Sequence, residues 1–140
     1  MIRRAKLGRI SLADDVRMIN IQRGNPIGLN HCCILMAGPD AKIEVGAHEG
    51  LTGVVLNATV SIPIGRYGML GANVRILDYD FHPIHWEKRR VDPKTPEKPQ
   101  PVILEEDVFV GTDAIILKGG QWARERLLAL AQSSQNQFLR

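Results

Sequence analysis

The stretch LGANVRILDYDFHP, residues 70–83, decides how this chain is read. It joins a six-residue beat of aliphatic and glycine residues to an acidic pair and a histidine, His82. Ile64-Gly65 and Leu70-Gly71 open successive hexads and Ile76 opens a third. The beat then stops for a charged loop and resumes at Leu104, Val110 and Ile116. Working backward, Ile27-Gly28, Cys33-Ile34, Pro39-Asp40, Val45-Gly46 and Leu51-Thr52 also fall six apart. Between Leu51 and Ile64 the count is thirteen rather than twelve, which predicts one extra residue near Asn57 to Thr59.

A six-residue repeat fits neither the helical period of 3.6 nor the alternation of an amphipathic hairpin. It requires a short strand and a bend at constant intervals, and three such units make one triangular turn. A parallel β-helix meets this demand: the first aliphatic of each hexad points inward and stacks on its equivalents in neighbouring coils, while glycine or another small residue permits the corner. The competing all-β arrangement is a sandwich of short strands, but two-residue hairpin signals such as Asn-Gly or Asp-Gly are absent. The opening stretch, to about Arg23, has aliphatics two apart (Ile10 with Leu12, Ile19 with Ile21) and reads as short strands that begin the β structure.

At 140 residues the chain is expected to form a single domain. A net charge of +3 with few aromatics, and no basic residues interleaved with them, argues against nucleic acid as a partner. No apolar run approaches a membrane span, and MIRRAKLGRISL lacks the apolar core of a signal peptide, so the cytoplasm is the expected compartment and membrane insertion is not expected. Cys32 and Cys33 are adjacent, suit no common zinc spacing, and read as reduced side chains of a core wall.

From His82 the sequence HPIHWEKRRVDPKTPEKPQP leaves the repeat. It is too polar to pack inside a prism and too long for an idle connection, so it reads as an arm, about 83–101, projecting from one corner of a coil. Long loops on rigid scaffolds carry function disproportionately, which draws attention to the root of this one.

Taken together, the hexads from Val45 to Ile76, the string Asp78-Tyr79-Asp80-Phe81-His82-Pro83, the excursion and the return VILEEDVFVGTDAIILKG resemble the hexapeptide-repeat acyltransferases, in their sugar O-acetyltransferase branch. The resemblance covers about three quarters of the chain. It implies a left-handed parallel β-helix over 1–119, acetyl-CoA as acyl donor, a hydroxyl of a sugar or glycan precursor as acceptor, no metal, and a homotrimer with active sites between neighbouring prisms. His82 takes the place of the family's general base. Imidazole, with an ordinary pKa of about 6.5, can accept the hydroxyl proton at neutral pH as that oxygen attacks the thioester. Asp78 or Asp80 would orient the ring or bind sugar hydroxyls. Thr52 lies near the family's acceptor-contacting position one coil earlier, and Trp86, beside His85, offers a face for stacking on a sugar or an anchor for the loop. Phe109, Gly111 and Thr112 match the hexad that contacts CoA. Some left-handed β-helices are zinc carbonic anhydrases, but His31, His48, His82 and His85 lack the spacing of their three ligands.

After Gly119 the resemblance breaks. The family continues with hexads ending in a string such as IGAGSVVTKSIPA, whereas this chain reads QWARERLLALAQSSQNQFLR. Codons that encode residues 128–140 can be chosen so that another frame reads IGAGSVVTKSIPA, which points to a frameshift near Gly119 or Gly120. On this reading 120–140 is a non-family tail, helical or disordered, with Trp122, Leu127, Leu128 and Leu130 on the apolar side of any helix. The lost coils would impair donor binding. Two other functions therefore stand beside the enzyme: a catalytically inactive, truncated β-helix serving as a structural or interaction module, and a basic arm (Lys88, Arg89, Arg90, Lys94, Lys98) that binds polyanions in a salt-dependent way.

Overall fold

A computed structural model describes residues 1–122, 127 and 128. In chain order the strands are β1 (Ile2–Arg4), β2 (Arg9–Leu12), β3 (Arg17–Ile19), β4 (Ile34–Ala37), β5 (Lys42–Val45), β6 (Gly50–Thr52), β7 (Val55–Ala58) and β8 (Ser61–Ile64). They continue as β9 (Met69–Leu70), β10 (Arg75–Leu77), β11 (Ile103–Leu104), β12 (Phe109–Val110), β13 (Ile115–Ile116), β14 (Gln121–Trp122) and β15 (Leu127–Leu128). Every third strand joins the same sheet. The first sheet has the order β1-β4-β7-β10-β13, the second β14-β11-β8-β5-β2 and the third β15-β12-β9-β6-β3. All the pairings are parallel, so the chain visits three sheets in rotation, an arrangement compatible with a parallel β-helix and not with a sandwich of hairpins.

Stacked aliphatics form the core. In the first sheet Leu35, Leu56, Ile76 and Ile116 lie in register; in the second, Val45, Ile64 and Leu104; in the third, Leu51, Leu70 and Val110. All ten are buried. Full burial of one such side chain contributes about 1.5–3 kcal/mol, and a column of them ties each coil to the next.

The hexads from Ile64 onward match this register, but two earlier members do not. Ile27 is 66% exposed and Pro39 is also exposed. Residues 20–33 instead form an excursion between β3 and β4, with a 3₁₀ turn at Gln22–Gly24 and only Leu29 and Cys33 buried. Cys33 does belong to the core wall, where burial raises its thiol pKa, but Cys32 is exposed. The slip between Leu51 and Ile64 also has a different origin from the single insertion expected at 57–59. Leu51 to Leu56 spans five residues, one fewer than Leu70 to Ile76 in the next coil, and Leu56 to Ile64 spans eight because β7 and β8 each turn two residues inward.

The corners are built differently from the expectation as well. Their left-handed positions are held mostly by side-chain-bearing residues, Asp15, His48, Tyr67 and Asp107 at one corner and Asn73 and Asp113 at another. Asp, Asn and His are the types best suited to positive φ without glycine. The glycines that open the hexads serve close approach: a Cβ on Gly71 would lie 2.8 Å from the amide nitrogen of Thr112 in the next coil. At Gln121–Trp122 and Leu127–Leu128 the chain adds strands to the second and third sheets, so at these four positions the tail, expected to be helical or disordered, is strand. Trp122 pairs in register with Leu104 and packs against the core, and Leu128 pairs in register with Val110, keeping the six-residue interval; Leu130 lies outside the described residues.

Candidate functional site at the root of the arm

The arm leaves the coil after β10, at the corner between the first and second sheets, and returns at β11. Its only regular element among the described residues is the short helix α1 (Trp86–Val91), with no buried residue. Lys88, Arg89 and Arg90 sit in the last turn of α1, where positive charge suits the carbonyl end. Arg89 donates to the carbonyls of Pro83 and Ile84, Lys88 pairs with Glu97 at 3.0 Å, and the Arg90 guanidinium lies 4.5 Å from the centre of the Trp86 ring. Trp86 thus has one face occupied by Arg90, yet is 55% exposed. Between α1 and the returning limb lies a mainly apolar cavity of about 470 Å³ lined by Pro83, Glu87, Lys88, Val91, Asp92 and Thr95. The side-chain hydrogen bond from Thr95 is the chief reason that the Asp92 carboxyl lies below its ordinary pKa.

His82 is exposed at the start of this arm. Its Nδ1 is 2.7 Å from the carbonyl oxygen of Pro93. A carbonyl can only accept, so Nδ1 carries the proton, and in the neutral ring Nε2 is left with its lone pair. The two limbs of the arm therefore fix the tautomer of the histidine and hold its ring.

Asp78 and Asp80 have separate structural roles. Asp78 is fully buried and accepts three hydrogen bonds from the preceding coil: the Thr59 amide (2.7 Å), the Thr59 hydroxyl (2.9 Å) and the Val60 amide (2.6 Å). Its carboxylate is thereby committed to the corner; neither the His82 ring nor solvent is its partner. The backbone closes the root above it, with the Gln100 amide donating to the Asp78 carbonyl at 2.9 Å. Asp80 forms an ion pair with Lys118, each side chain only about 15% exposed. Tyr79, between them, packs against Phe81 with ring centres 4.6 Å apart, and burial is the main cause of its raised pKa.

Thr52, Gly111 and Thr112 occupy a different corner, between the third and first sheets. Thr52 ends β6 and is 8% exposed, and its carbonyl accepts from the Asn73 amide in the next coil at 3.1 Å. Gly111 and Thr112 follow β12 one coil further on and are partly exposed; Phe109, on the outward side of β12, is 43% exposed. Within one chain, then, the two aspartates and His82 share one edge of the prism, while Thr52, Gly111 and Thr112 share another.

Lys118, Gln100, Thr59 and the Pro93 carbonyl were not among the residues singled out from the sequence. Lys118 had a signal: Ile76 pairs with Ile116, so Lys118 sits one coil beyond Asp78 at the same step past the strand. Among the described residues no group of three His, Cys, Asp or Glu side chains converges as metal ligands would, and no helix is long and apolar enough to cross a membrane. Comparison with protein-family models, curated proteins and solved structures returned no match for this chain.

Proposed function

We propose that this chain is an acetyl-CoA-dependent O-acetyltransferase, a left-handed parallel β-helix that works in the cytoplasm as a homotrimer and acetylates a hydroxyl of a sugar or glycan precursor. The observation that carries the reading is the exposed His82 whose Nδ1–H is held by the Pro93 carbonyl, leaving Nε2 to accept a proton. In the reaction the acceptor hydroxyl gives its proton to Nε2 as its oxygen attacks the thioester carbonyl. The carbon–sulfur bond then breaks, and the CoA sulfur leaves and takes up the proton. The ester forms with no acyl-enzyme, and general-base action contributes about 10²- to 10⁴-fold in rate. In this reading the exposed Trp86 and the cavity beside α1 are assigned to the acceptor, and Phe109, Gly111 and Thr112 to the donor.

A trimer accounts for the separation of these two groups on different edges, because the edge bearing His82 on one protomer can face the edge bearing Gly111 and Thr112 on the next. The outward face of the first sheet supports such packing. Ile34, Val55 and Ile115 form one outward column around Arg75, and Arg3, Met36, Asn57 and Leu77 form the next, whereas the second sheet turns out Arg9, Ser11, Lys42, Glu44 and Ser61 with Pro63 and Ile103.

The reading is tested by incubating the protein with acetyl-CoA and a panel of methyl hexopyranosides and following free thiol and acetylated sugar. Equal release of both products supports transfer. Thiol release absent with every acceptor, at protein concentrations where sedimentation shows trimers, sinks the assignment in favour of a catalytically inactive module.

A further inference from the structure

We propose that Lys118 is the positioning residue for the proposed base, a single ammonium that pins both limbs of the arm to the next coil and so holds His82 where its Nε2 can meet the acceptor. The proposal rests on the acetyltransferase reading for its kinetic consequence, but not for its structural one.

The pairing of Ile76 with Ile116 sets the geometry. Lys118 leaves β13 at the step where Asp78 leaves β10, so its side chain reaches back across the coil boundary to the arm's root. There the Lys118 ammonium pairs with the Asp80 carboxylate on the departing limb, two residues before His82. The same ammonium lies 3.5 Å from the Lys98 carbonyl on the returning limb. Backbone bonds continue the closure: Gln100 donates to the Asp78 carbonyl at 2.9 Å, and Gly119, next to Lys118, donates to the Gln100 carbonyl at 3.3 Å. Gly119 has φ of +75°, and a Cβ there would meet the Gln100 side chain, so the turn after Lys118 is shaped to seat the returning limb.

Position in the fold separates this contact from an ordinary surface ion pair. Lys118 and Asp80 are 16% and 15% exposed, whereas the arm's other pair, Lys88 with Glu97, has its lysine 62% exposed. An exposed pair constrains little, but removing one member of a mostly desolvated pair leaves the other charge uncompensated. Without Lys118, Asp80 is driven toward water and carries the departing limb with it. His82 is bonded to the returning limb through Pro93, so its ring is held only while both limbs keep their spacing. A displacement of about 1 Å at a reacting group can cost on the order of 100-fold in rate.

The experiment compares the full chain with Lys118→Met, Lys118→Arg and Asp80→Asn by two readouts. One is amide hydrogen exchange over residues 79–100 without substrate; the other is kcat and KM for acetyl-CoA with the methyl hexopyranoside panel. Lys118→Met is expected to speed exchange in the arm at least about 10-fold, leaving the strands β4 to β9 unchanged, because a local opening is relieved of its pin. It should lower kcat by about 10- to 100-fold with KM for acetyl-CoA within about 2-fold, and Lys118→Arg should restore most of both losses. Asp80→Asn, which keeps shape and removes one charge, should reproduce the faster exchange, so the test survives even if Lys118→Met folds poorly. Unchanged exchange in both neutral variants overturns the clamp whatever the activity. Faster exchange with unchanged kcat overturns the positioning role. Faster exchange in a wild-type background that transfers no acetyl group upholds the clamp and removes the enzyme reading instead.

Discussion

Among the described residues two carboxyl groups are buried, one at each of two corners, and they are treated in opposite ways. Asp78, at the corner between the first and second sheets, receives three hydrogen bonds from Thr59 and Val60. Glu49, at the corner between the second and third sheets, is 1% exposed and receives one, from the Gly68 amide at 2.7 Å. Its Oε2 finds no hydrogen-bond partner among the described residues. Desolvation therefore dominates at Glu49 and pushes its pKa up from 4.5 to about 7, against the lowering effect of the Gly68 bond. The contrast shows what makes an inward acid tolerable in such a coil. At Asp78 the neighbouring coil turns two amides and a hydroxyl toward the buried carboxyl, so both its oxygens have donors; Glu49, given a single amide, has its pKa pushed up to about 7.

The comparison breaks most visibly at Asp78. Asp78→Ala removes the acceptor from two backbone amides and a hydroxyl in a dry corner, and is expected to cost about 3–5 kcal/mol in denaturant unfolding and to loosen the arm. A loss under about 1 kcal/mol would mean that water replaces the carboxylate there.

At Glu49 the sign is reversed. The unfolded state loses this proton near 4.5 and the folded state near 7, so between those values the unfolded chain binds fewer protons and stability falls as pH rises. Stability from this group is fully present below about 4.5 and lost by the time pH has passed 7. Glu49→Gln should flatten that slope and raise stability at pH 8 by up to about 3 kcal/mol, with little gain at pH 4.5. A melting-temperature series across pH checks it, and parallel curves for the two proteins would show that Glu49 is solvated.

Gly68→Ala makes a smaller, sharper probe. The added Cβ would stand 2.6 Å from Glu49 Oε1 and 2.6 Å from the Val108 carbonyl, so a loss of about 2 kcal/mol is expected at pH 8, measured by chemical unfolding. Combining it with Glu49→Ala should recover part of that loss, because the space is then vacated.

The sequence disclosed the coil where inward aliphatics recur without interruption. From Ile64 to Ile76, and again from Leu104 to Ile116, the count of six tracks burial, because each short strand turns the same position to the core. Ile27 falls on the same count by coincidence, inside an excursion that spacing alone does not mark, and Pro39 falls in the turn between β4 and β5, at a corner of the coil. Trp122 and Leu128 keep the count without an aliphatic-glycine pair to mark them, and they pair in register with Leu104 and Val110. The prominence of Asp78 was legible but its task was not. Its partners are two backbone amides and a hydroxyl nineteen or eighteen residues earlier, and amides carry no sequence signature. The same holds for His82, whose tautomer depends on the carbonyl of Pro93. Lys118 was the recoverable omission, since counting forty residues across the arm from Asp78 arrives at it.

The most direct test of the account is the acetyl-transfer rate of His82→Asn against the unaltered chain, with acetyl-CoA and the best acceptor of the methyl hexopyranoside panel. His82 is exposed, so the substitution should leave the melting temperature unchanged. Loss of a general base predicts a fall of about 10²- to 10⁴-fold in kcat with KM for acetyl-CoA little altered. Equal turnover by the two proteins would contradict the assignment of His82 as the base.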